Sequence, residues 1–277
     1  MRRIAFTLAG VFLAVSAVTA QTQETQSTSP DSIPAASLSQ AYCAGFIAEN
    51  SVPHDLIVLG GGDDAFHSVV RQFTQGESIF ISQRDGGDIV VGTQFSVVRP
   101  ANDLFETMRY QGERGDIGKL GKPYSDVAQV KVTNVSPVGV VAEITFSCEA
   151  VVPGDILVPL VLSTIPEYTV SDPLDHFAPL DKSKTHGRII ASRNNLGSFG
   201  KGTVVYLNLG DKDAQRGKRF RIYKALAPGA TGLLARKSPP PETIGEAVVL
   251  SVQSKSCVAI VVSSYREIAA GDYVEAE

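Results

Sequence analysis

The chain has 277 residues, 43% of them hydrophobic, 7% aromatic and 19% charged, with 25 Gly, 15 Pro, no Trp and a formal charge of -4. That is long enough for one or two domains with real cores, and too ordinary in charge for a disordered or collagen-like chain. The 25 basic residues are outnumbered by 29 acidic ones and form no Lys/Arg run, which argues against nucleic acid as a partner.

Residues 1–20 read as a secretory signal peptide. Arg2 and Arg3 form a basic start, Ile4 to Val18 an apolar run, and Val18-Thr19-Ala20 a small-residue cleavage site, so cleavage is expected after Ala20. The apolar run is shorter than the roughly 20 residues that span a bilayer. No transmembrane segment is expected after cleavage. Removing Arg2 and Arg3 leaves 23 basic groups of the 25 against 29 acidic ones, a formal charge of -6. Position 21 is Gln rather than Cys, so no lipid anchor is expected. Residues 21–38 are polar and rich in Pro, Ser and Thr, which predicts a disordered leader.

A first β module is expected over 39–162, a Pro-containing linker over 163–185 with Pro166, Pro173 and Pro179, and a second β module over 186–277. Ile79 and Ile81, Phe95 and Val97, Val130 and Val132, and Val204 and Tyr206 all alternate with their neighbours at the period of half-buried strands. The modules repeat each other. GESIFISQRDGGDIVVGTQFSVVRP from Gly76 answers GTVVYLNLGDKDAQRGKRFRIYKA from Gly202, Val127 to Ile156 answers Ile244 to Tyr273, and Leu56 to Leu59 answers Gly187 to Ile190. Gly92 thereby falls on Gly217, and Gly154-Asp155 on Gly271-Asp272; all six read as structural turns. The fold class is all-β, two related small barrel- or sandwich-like modules in tandem. The long connections Ala101 to Pro123 and Leu226 to Pro241 lie between equivalent strands and are expected to project as binding surfaces.

Export permits disulfides. Of three cysteines, Cys257 alternates with Ala259 as if on a buried strand face, which favours a bridge between Cys43 and Cys148; three buried thiols are the alternative.

The order GESIFIS, GTQFSVVRP, a long loop and EAVVPGDILVP, then HGRIIA, VVYLNLGDKDAQRGKRFRIYK and IGEAVVLSVQSKSCVAIVVSSYREIAAGDYVEAE, resembles the region after the LysM domain of proteobacterial peptidoglycan-binding envelope proteins. The resemblance covers about residues 56 to 277. No LysM module stands between Gln21 and Asn50, so it implies an exported envelope protein with tandem β modules and does not carry glycan binding over.

Candidate chemistry is sparse. Gly60-Gly61-Gly62-Asp63-Asp64, Asp85-Gly86-Gly87-Asp88 and Gly210-Asp211-Lys212-Asp213 read as turns, without a phosphate-loop Lys or a calcium ligand set. His54, His67, His176 and His186 lack metal-ligand spacing, and Ser163, Ser183 and Ser198 lack a nucleophile elbow. No catalytic residue, cofactor or metal is expected. The expectation is a non-enzymatic, periplasmic or envelope-associated protein that binds peptidoglycan or an envelope protein complex. The alternative is a periplasmic hydrolase of wall material using carboxylates such as Asp63 or Asp116.

Overall fold

The computed structural model describes residues 32–61, 72–82, 89–137, 139–162, 164–170, 175–225 and 240–277. Ser32–Glu277 forms one compact unit. It begins with β1 (Ser32–Pro34), the short helix α1 (Leu38–Tyr42) and β2 (Phe46–Ala48). Ser37 and Gln40 close a reciprocal capping box that starts α1.

The first module is built from β3 (Val58–Gly61), β4 (Ser78–Ile81), β5 (Gln94–Pro100), β6 (Lys122–Ser136), β7 (Gly139–Ser147) and β8 (Ile156–Pro159). After β9 (Glu167–Thr169), the second is built from β10 (His186–Ser192), β11 (Val204–Leu207), β12 (Arg219–Lys224), β13 (Glu242–Val252), β14 (Cys257–Ser264) and β15 (Tyr273–Ala276). Both are antiparallel and share one strand order. The first runs β3-β4-β7-β6-β5-β8, with β2 paired to the start of β6; the second runs β10-β11-β14-β13-β12-β15 and closes into a six-stranded barrel. The ends of the first sheet meet at the bridge between Ile57 and Ile156, so it curls the same way.

The duplication extends to single hydrogen bonds. Gly154 N–H donates to Val58 O as Gly271 N–H does to Ile189 O, and Gly92 N–H donates to Val132 O as Gly217 N–H does to Val249 O. Gly92, Gly154, Gly217 and Gly271 hold φ of +94°, +93°, +80° and +98°, a region open to glycine. Asp155 and Asp272 each accept from the backbone three residues earlier, at Val152 and Ala269, both at 2.8 Å. The six residues therefore sit in matched tight turns.

Each lumen is apolar. Ile79, Ile81, Val97 and Val130 fill the first, and Phe220, Ile222, Val249 and Cys257 the second. A third core lies between the modules, where Ile190, Val204, Tyr206, Val248, Val258 and Ile260 on the outer face of the second barrel meet Ala35, Ala44, Ile47, Leu104, Ile117 and Leu120. This is why β11 is buried along its whole length rather than on alternate residues. Val205 and Leu207 enter the lumen while Val204 and Tyr206 enter the seam.

Three sequence expectations are corrected. The leader is not disordered to residue 38: from Ser32 it forms β1, paired with β9, and buries Ala35 and Ala36 in the seam. Nor is 163–185 a plain linker. Its residues Glu167–Thr169 supply that partner strand, and the carbonyls of Ala178 and Pro179 accept from Arg221 on β12. Three-residue strands and carbonyl docking leave no hydrophobic periodicity to read. The connection 101–123 does not project. It forms a 3-10 turn (Asn102–Phe105) and helix α2 (Glu113–Leu120), and Leu104, Ile117 and Leu120 pack on the second barrel. Of the counterpart connection 226–241, residues 226–239 lie outside the described residues.

Candidate functional site

The cleft between the barrels is the site that the fold builds. It encloses about 350 Å³ and is bordered by the end of α1, by β5, β6 and the chain around β8 from the first module, and by Arg216 and Ser251 to Gln253 from the second. That volume lies at the lower end of small-molecule sites. Its polar groups are Asp126, Gln129, Gln253, Ser96, Ser251 and Arg216; Phe46, Val98, Val158 and Val161 supply apolar wall.

Asp126 is placed by β6, opposite Val98 of β5. Its Oδ2 accepts the Gly45 N–H at 2.8 Å. Burial pushes its carboxyl up to about 6, and the Gly45 bond and the Arg193 charge offset only part of that rise. Gly45 is required where it stands. With φ at +69°, a Cβ would lie 2.6 Å from the Tyr206 hydroxyl and 2.7 Å from Tyr124 O. The Tyr206 hydroxyl, buried in the seam, donates to Ala44 O at 3.0 Å, and burial raises its pKa.

Rigid contacts surround the cleft. Phe46 stacks on Tyr124 at 5.6 Å between ring centroids, and Tyr42 meets Phe146 edge-on at 5.9 Å. Arg99 forks onto the buried Asp155 at 2.7 and 2.8 Å, and Glu149 connects Arg99 at 3.5 Å to Arg193 of the second module at 3.9 Å. The repeat partner of the Arg99–Asp155 pair is Lys224–Asp272, looser at 3.9 Å. Arg216 Nη1 donates to Thr164 O and Oγ1, both at 3.3 Å.

Cys43 and Cys148 are joined by a disulfide across a sequence separation of 105. The bridge ties the segment that covers the second barrel to the strand end of the first. Cys257 is a free thiol in the second lumen, where burial pushes it up to about 12.

The other sequence candidates do not converge. Asp116 accepts from Tyr110 at 3.1 Å and Lys119 at 3.3 Å, and lies 3.8 Å from Arg188. Asp63, His67, Gly62, Asp64, Asp85 to Asp88 and Ser163 lie outside the described residues. Gly210 to Asp213 is a turn, closed by Asp213 and Ala214 N–H groups on Gly210 O. His176 packs edge-on against Tyr265, His186 Nε2 lies 2.9 Å from Asp181 O, and His54 is exposed. Ser183 bonds Asp181 and Ser198 is exposed. No group of three or more His, Cys, Asp or Glu suited to a metal occurs among the described residues. Nor is any helix there long and apolar enough to cross a membrane.

Sequence reasoning passed over Asp126, Gln129, Gln253 and Arg216. Asp126 and Gln129 lie on one strand of the first module, and Gln253 and Arg216 beside turns of the second, with no spacing to link them. The one local signal is Asp126 itself, a carboxylate inside a strand-forming stretch. Comparison of the chain with protein-family models, with curated proteins and with solved structures returns no match.

Proposed function

We propose that the chain is an exported, envelope-associated protein that acts by binding, and that the cleft between its barrels holds a wall-derived ligand. The signal-like start, the likeness to the region after the LysM domain in peptidoglycan-binding proteins, and the disulfide all support this reading. The observation that carries it is the cleft, where polar side chains from two packed barrels converge on apolar wall. Two barrels locked by one seam give a preorganised site, which lowers the ordering cost of binding.

The test is co-sedimentation of the chain from Gln21 with purified peptidoglycan sacculi, beside Ser96→Trp, which fills the cleft. Saturable pelleting that Ser96→Trp abolishes supports the reading. Absence of pelleting, or pelleting indifferent to the substitution, refutes it.

A second reading is a hydrolase of wall material. It is favoured by Asp126, a cleft carboxyl whose pKa near 6 suits a general acid, rather than by Asp63 or Asp116. Release of soluble fragments from sacculi that Asp126→Asn abolishes would support it. Sacculi left intact by the native chain would sink it.

A further inference from the structure

We propose that the cleft takes an alkyl chain ending in a primary ammonium, with the ammonium seated on Asp126 and the chain along the apolar wall. This rests on the reading of the cleft as the binding site and adds the ligand class.

Asp126 is the one carboxylate among the residues that border the cleft. Its Oδ2 accepts the Gly45 N–H at 2.8 Å, and among the described residues its Oδ1 accepts no hydrogen bond. A carboxylate has about four lone-pair sites, so most of the accepting capacity here is unused. Arg193 acts on Asp126 through its field, while its ion pair is with Glu149 at 3.9 Å.

The seam around Asp126 is negative on balance. Its ion network sets Asp126, Glu149 and Asp155 against Arg99 and Arg193, three carboxylates against two guanidiniums, which leaves one negative charge over. The Tyr206 hydroxyl samples the same field: burial raises its pKa, and Asp126, Asp103 and Glu149 add to the rise against Arg193 alone. A ligand cation offsets that excess in a partly desolvated place, where charge-assisted bonds are strong. Arg216 also borders the cleft, but it is exposed and donates to Thr164, and water screens its charge.

An ammonium on an alkyl stem fits these groups. Phe46, Val98, Val158 and Val161 line the same cleft, and methylenes can bury against such a wall while the charged head stays on the carboxylate. A divalent metal needs more oxygen ligands than one carboxylate supplies, and no metal-suited cluster occurs among the described residues. Two carriers present the group, a lysine-like side chain of a peptide and a free diamine.

The experiment is calorimetric titration of the chain from Gln21 at pH 7 with N-acetyl-Ala-Lys-Ala-amide, with the same peptide acetylated on Nε, and with 1,5-diaminopentane. We expect Nε-acetylation to weaken binding by roughly tenfold or more, and Asp126→Asn to remove that preference. Asn keeps an oxygen for the Gly45 N–H, and an unchanged melting temperature shows that the variant folds. If it does not fold, the pH profile of the native chain decides. The ammonium binds ionised Asp126, whose carboxyl takes up its proton at about 6, so affinity for the lysyl peptide should fall about tenfold from pH 7 to pH 5. The Nε-acetylated peptide should show no such fall.

Tighter binding of the peptide than of the diamine places the amine on a peptide, and the reverse on a free diamine; either supports the proposal. If neither amine binds, or if Nε-acetylation is without effect, the proposal is overturned. Sacculus pelleting that Ser96→Trp abolishes, without amine binding, leaves the cleft reading standing and removes the ammonium. Pelleting indifferent to Ser96→Trp removes the cleft reading itself.

Discussion

Reducing the Cys43–Cys148 bridge tests how the two modules are held as one body. The bridge closes a loop across a separation of 105 residues, and loop-closure entropy assigns such a loop about 4.7 kcal/mol of stability through restriction of the unfolded chain. For an ordered unit of this size, each kcal/mol moves the melting temperature by about 2–4 °C, so reduction should lower it by roughly 10–19 °C. The assay is calorimetry of the same chain with and without reductant. Cys257 is already a thiol and lies buried in the second lumen, so reductant acts on this bridge alone among the cysteines. Oxidised and reduced chains that melt within about 3 °C of each other would refute the reasoning, since the loop-entropy argument demands several times that.

Gly45→Ala should cost several kcal/mol, because it combines a strained φ with contacts of 2.6 and 2.7 Å, whereas Gly92→Ala, with nothing near its Cβ, should cost about 1–2 kcal/mol; equal urea midpoints for the two would contradict this. Arg221 and Glu275 form a buried ion pair, so Arg221→Met should cost about 3–5 kcal/mol, while Arg266→Ala, at the exposed Arg266–Glu242 pair, should cost under about 1 kcal/mol. Chemical denaturation of both variants checks the ratio. Asp126 holds its proton to about pH 6 when folded, against an ordinary value of 3.8. Between these values the folded state binds more protons than the unfolded, so Asp126 lowers stability progressively as pH rises through that window, and its cost is complete above about 6. Asp126→Asn should remove this component, seen as a flatter profile of urea midpoint against pH between 4 and 6; a profile unchanged from the native one would count against the burial of Asp126.

Much of the architecture was legible because it rests on local chemistry. The alternation of Ile79 with Ile81 and of Phe95 with Val97 marked strand faces that the structure buries in one lumen. Gly-Asp at 154–155 and 271–272 marked turns whose backbone bonds match one for one. The duplicated order of those signals predicts two related barrel- or sandwich-like modules, and the second closes as a six-stranded barrel. The cleft was not legible, since Asp126, Gln253 and Arg216 come together only when the barrels pack, and packing partners far apart in sequence share no period or spacing.

The sequence by itself determined the strands of the two modules, their turns and their repetition, because steric preference and side-chain alternation act between near neighbours. Tertiary structure alone decided that Ser32–Pro34 pairs with Glu167–Thr169, that the 101–123 connection becomes a buried helical pad, and that Tyr206 faces a seam instead of solvent. Those choices depend on how the outer face of one barrel is covered by the segments of the other, a matching of surfaces that only the folded chain brings into contact.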